Sequence, residues 1–82
     1  MANMTYYVAI GFRRNEEGEL IALEPQESQV SSAAVSRARA IAAKEAGAIA
    51  FARTGDPDIG EFADAVVLWQ GGEVPDQIPV GD

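Results

Sequence analysis

Between Ser31 and Trp69 the chain runs without a linker through an alanine-rich helical segment, a closing Gly47, an apolar strand, a Gly/Asp/Pro turn and a second apolar strand. A helix and a hairpin so closely joined must share one core. Ala34, Val35, Ala38, Ile41, Ala42 and Ala46 recur at helical spacing on one face, while Ser36, Arg37, Arg39, Ala40, Ala43 and Lys44 occupy the other. Gly47 is expected to end the helix in the left-handed conformation that costs glycine little. Several residues from Ser28 to Ser32 could cap its start, and no Ser-x-x-Glu capping box selects one. Beyond the helix, Ile49, Phe51 and Arg53 alternate with Ala48, Ala50 and Ala52. After the turn, Val66 and Leu68 alternate with Ala65, Val67 and Trp69. This period of two marks a hairpin.

A second hairpin precedes the helix. Tyr6, Val8, Ile10 and Phe12 alternate with Tyr7, Ala9, Gly11 and Arg13, Asn15-Glu16-Glu17-Gly18 supplies a turn, and Leu20 to Leu23 return before Glu24-Pro25 breaks the pattern. Gly71-Gly72 closes the last strand, and Val74 to Val80, with Pro75 and Pro79 and no period, is expected as an extended tail. Residues 1–72 thus form one domain and 73–82 its tail. The fold class predicted is α+β in ββαββ order: a four-stranded, mainly antiparallel sheet with the helix on one face and the first and third strands central. Parallel pairing of the second and third strands is the alternative. Matching an alanine face with bulk places the helix on Tyr6, Val8, Ile10, Phe12, Ile49 and Phe51. The opposite face, carrying Tyr7, Ala9, Gly11, Ala48, Ala50, Ala52, Val67 and Trp69, is then left uncovered.

With 82 residues the chain buries only roughly 60–65% of the surface its unfolded form exposes. The core is small, and because aromatic residues make up 7% of the chain against 48% hydrophobic residues in total, Ala, Val, Ile and Leu must fill much of it. Cysteine is absent, so no disulfide or zinc-thiolate site supplements that core. No basic n-region opens the sequence and no apolar run approaches the ~18 residues of a membrane span, which makes a cytoplasmic location the expectation.

Chemistry is sparsely represented. Histidine and cysteine are both missing, which removes the usual near-neutral proton shuttle, the thiolate nucleophile and most transition-metal ligation. The acidic residues lie in turns and on solvent faces, and Ser31, Ser32 and Ser36 sit at a helix start and on its polar face with no base nearby. No catalytic residue is assigned. The Gly55-Asp56-Pro57-Asp58-Ile59-Gly60-Glu61 loop begins like a calcium loop, but Gly60 holds the fifth ligand position and Val67 the twelfth, where a bidentate glutamate belongs. It reads as a turn, with no metal and no cofactor. Six basic residues against thirteen acidic ones give a net charge of −7, which opposes nucleic-acid binding. Glu45, which falls in the apolar stripe, is expected to reach solvent past the helix end.

The stretch from Ala46 through Arg53-Thr-Gly-Asp-Pro-Asp58 to Phe62, with Ala65 to Leu68 and Gly72-Glu-Val-Pro-Asp76, resembles small bacterial hypothetical proteins of similar length with no established activity. The resemblance covers the C-terminal half, implies a complete chain working inside a bacterial cell, and transfers no site residue. The function expected is a non-catalytic interaction module. Its partner would be a second copy or another protein, not nucleic acid or membrane, and its interface Tyr7, Ala9, Ala50, Ala52, Val67 and Trp69. The alternatives are cover of that face by the tail through Val74, Ile78 and Val80, and, for function, a small-ligand binder, a carboxylate-dependent enzyme or an acidic mimic of nucleic acid.

Overall fold

The structure is a computed structural model that describes residues 4–56 and 60–75, with Glu61 and Phe62 described by backbone alone. Its elements are β1 (Met4–Arg14), β2 (Leu20–Ala22), β3 (Gln26–Ser28), α1 (Ser31–Lys44), β4 (Gly47–Asp56), β5 (Glu61–Phe62) and β6 (Val66–Gly72). The class is α+β, with one helix and an antiparallel sheet. β1 and β4 form the centre, paired from Met4 opposite Gly55 to Phe12 opposite Gly47. β2 and β3 lie in line along the other side of β1, and β5 and β6 along the other side of β4.

Four columns result, as the sequence predicts, but each outer column is broken into two strands. Pro25 lacks a backbone N–H and lies in the break between β2 and β3, which Leu23 N–H spans by donating to Gly11 O at 2.8 Å. On the other side Ala63 N–H donates to Thr54 O at 2.8 Å between β5 and β6. The first turn forms as expected. The Asn15 side-chain oxygen accepts from the N–H of Glu17 at 3.0 Å and of Glu19 at 2.8 Å, and Gly18 takes φ +81°.

The helix ends differ from expectation. None of the serines caps its start: Val30 occupies the N-cap with no side-chain bond, and Glu45, in extended conformation, is the C-cap. Gly47 does not adopt positive φ and already belongs to β4. It is glycine for another reason. Gly72, at φ +72°, turns the chain so that Glu73 passes directly over Gly47, and a Cβ there would lie 2.5 Å from Glu73 N. Glu73 N–H donates to Ala46 O at 2.9 Å, which holds the crossing in place.

The larger correction concerns the faces. The helix sits on the small-residue face, with Ala34 and Ala38 packed on Ala9, Ala48 and Ala50, all fully buried. Ile10, Phe12, Ile49 and Phe51 form a separate buried cluster on the far side of the sheet, against which Val8, Leu20, Ala65 and Val74 pack. The physical reason is distance: a Cβ on Gly11 would collide with Ile41 Cγ2, so the helix lies closer to the sheet than bulky side chains would permit. Val74 therefore does return to the sheet, on the bulky side. Ile78 and Val80 lie outside the described residues.

Two glycine substitutions test this packing. Gly47→Ala meets backbone that cannot retract, and we expect a loss of about 2–3 kcal/mol in urea unfolding; Gly11→Ala meets side chains that can shift, and should cost about 1–2 kcal/mol. Equal, negligible costs would contradict the close approach.

Candidate functional site

Alternation along β1 and β4 decides where each candidate residue lies. Ala9 and Ala50 are fully buried beneath α1, and Tyr7 and Trp69 pack half-buried against the same cluster. Ala52 lies opposite Tyr7, with Val66 its partner on β6. Val67 stands opposite Phe51 and so belongs to the other face. The six residues expected as an interface therefore form no single exposed surface, because the helix covers the face expected to be free. Gly11 and Ala48, from the same expected face, are buried with them.

What remains exposed is at the outer column of β6. A register shift opposite Ala50 and Phe51 pairs Ala50 with Trp69 and Phe51 with Val67, leaving Leu68 as the extra residue of a β-bulge. Beside the bulge, Val66 is 61% exposed and Val67 46% exposed. The Trp69 ring folds over Gly71, where a Cβ would lie 2.6 Å from its Cη2 atom, so its indole is directed toward the sheet. Met4, Ile21 and Val30 are also exposed, on separate elements.

Glu45 behaves unlike its expected role. Arg13 Nε donates to Glu45 Oε1 at 2.9 Å and Arg13 Nη2 to Oε2 at 2.7 Å, a two-pronged pair that ties the end of α1 to β1. Its sequence signal was a glutamate in the apolar stripe, with an arginine on the strand face that turns out to lie under the helix. Hydrogen bonds from Arg13 are the main reason that the Glu45 carboxyl is held below its ordinary value, with the guanidinium charge adding to them. That is the direction of a structural ion pair, opposite to that of a carboxyl kept protonated as a general acid. Arg14, the next residue, reaches the other face, where its Nε donates to Glu73 Oε1 at 2.8 Å.

The 55–61 loop keeps its hairpin character where it is described: Gly60 takes φ +73° and its N–H donates to Asp56 O at 2.9 Å, while Gly55 and Asp56 pair with Phe62 and Glu61. Pro57, Asp58 and Ile59, including the second aspartate of the weighed calcium loop, lie outside the described residues. Among the described residues no three Asp or Glu side chains converge as a metal site, and no helix is long and apolar enough to cross a membrane. Open depressions are present among the described residues. One, of about 390 Å³, is lined by Gln70, Gly71, Gly72, Val74 and Pro75, and another, of about 310 Å³, by residues that include Tyr6, Glu27 and Ser28. No family model, curated protein or solved structure matches the chain.

The Arg13–Glu45 pair predicts a pH dependence. A carboxyl whose pKa is lower in the folded than in the unfolded state contributes stability above the unfolded value, and that contribution is lost as pH falls through the folded value. Glu45→Gln should therefore lower the melting temperature at neutral pH. Thermal melts of both proteins should converge as pH falls below the ordinary glutamate pKa of about 4.3; a gap that persists unchanged in acid would show that the pair does not titrate as assigned.

Proposed function

We propose that the chain is a small non-catalytic interaction module that associates with itself, a cytoplasmic protein of a bacterial cell. The observation that supports this is the exposure of Val66 on the helix side and of Val67 on the opposite side of the outer column, on a strand that carries no charge. Single exposed apolar residues are common on any surface, but an uncharged strand with apolar side chains exposed on both of its faces gains from cover along its edge. Burying a valine side chain contributes about 1.5–3 kcal/mol, which must offset the rotational, translational and ordering cost of association. A reversible pair of moderate affinity is the result expected from so small a surface. The face first expected to mediate contact cannot do so without displacing α1, so the contact is reassigned to the outer column.

The acidic surface favours self-contact at this strand over contact elsewhere. With a net charge of −7, two copies repel over most approaches, and an uncharged apolar stretch is where that repulsion is weakest. Light scattering coupled to size exclusion should show the apparent mass rising toward twice that of the chain at high micromolar concentration. A mass that stays at one chain throughout the series would refute self-association.

A further inference from the structure

We propose that β6 is a pairing edge: Val66–Gly72 adds to β6 of a second copy, antiparallel about a two-fold axis, so that two four-column sheets become one. The proposal rests on the self-associating module and names its surface. Among the described residues β6 has β4 on one side and no strand on the other. An edge strand with unpaired N–H and C=O groups is a template for another strand unless something blunts it.

The two edges of this sheet are blunted very unequally. On the far side of β1, β2 and β3 have three residues each, with Glu24 and Pro25 in the gap between them, Glu27 within β3, and the Arg37 side chain donating to Gln26 at 2.7 Å. Short strands, charge, proline and bulges are the devices that keep edges from pairing, and β6 carries only the last of them. β6 has seven residues, with neither a charge nor a proline, in a chain of which 23% is charged. Its irregularities are the bulge at Leu68 and the positive φ of Gly72 at its end, between which Trp69 to Gly71 keep regular register with β4.

A second copy fits this edge for reasons of symmetry and charge. Antiparallel pairing about a two-fold axis joins identical surfaces, satisfies both free edges at once and closes the assembly at two copies. The nearest acidic residues, Asp64 and Glu73, flank the strand and keep their charge off the seam. In the antiparallel arrangement the Asp64 end of one copy lies toward the Glu73 end of the other, so added salt should strengthen the pair by screening like charges. A seam of one strand per copy falls short of the ~1,600 Å² of a standard interface, which places the pair in the reversible range.

Hydrogen exchange across a concentration series, with light scattering on the same samples, tests the assignment. Of the amides of 66–70, those directed away from β4 should exchange about tenfold more slowly where the copies are paired than where they are dilute, while those of β2 and β3 should not change. Val66→Lys with Val67→Lys, both at exposed positions, should abolish that protection and the mass increase while leaving the circular dichroism spectrum intact. If copies associate but exchange in β6 is independent of concentration, the edge is excluded while the self-associating module stands. If the wild-type chain remains a monomer throughout, both fall. The wild-type exchange data decide the matter even should the double variant fail to fold.

Discussion

The layer of small residues between helix and sheet sets the rest of the structure. Ala34 and Ala38 meet Ala9, Ala48 and Ala50, and Ile41 fills the space that a missing Cβ leaves over Gly11. The gain per residue is modest because an alanine buries little area, but the interdigitation is close, and dispersion falls off steeply across even a small gap. Once the helix occupies that face, the bulk of Ile10, Phe12, Ile49 and Phe51 must be buried on the other side of the sheet. The core therefore has two layers of unequal grain, fine under the helix and coarse beyond it.

Much of the architecture was legible in period and punctuation. The alternation from Tyr6 to Phe12 and from Ala48 to Arg53 predicts the two central strands, and Asn15 and Gly18 predict the turn that forms. Period alone, however, distinguishes two faces without saying which one a helix will take. Both faces of the central strands are apolar, so the choice fell to size, and matching small with large reversed it: close approach favours small on small. Gly47 illustrates a degenerate signal of another kind. A glycine after a helix is required equally by a left-handed cap and by a chain passing overhead, and the second needs Glu73, remote in sequence, to be seen. Because the interface residues were inferred from the faces, Tyr7, Ala9, Ala50, Ala52 and Trp69 were carried with the error, and Val67 was separated from them by the bulge.

Neighbouring arginines show how a strand can fasten both sides of a fold. Arg13 and Arg14 are consecutive, so the pleat sends one to each face; the first grips the end of the helix through Glu45 and the second grips the crossing segment through Glu73. Arg13, Arg14 and Glu73 are exposed and Glu45 is half-buried, so each pair contributes modestly on its own. Their value is positional. The two fix the C-cap of the helix and the first residue beyond the sheet relative to the same point on β1.

The central ladder has a consequence for how the chain reaches this structure. β1 and β4 are joined through the whole of β2, β3 and α1, so Met4 finds Gly55 only after a long loop has closed, whereas β4 and β6 are neighbours in sequence. A 14-residue helix without a side-chain cap at its start is marginal alone, and its alanine floor exists only when β1 and β4 lie together. The hairpin of β4 and β6 can therefore form early, but the helix and the central pair must form together, in one cooperative step limited by loop closure. Until that step is complete, β4 has its inner edge open, and a chain in that state carries two unprotected strand margins instead of one.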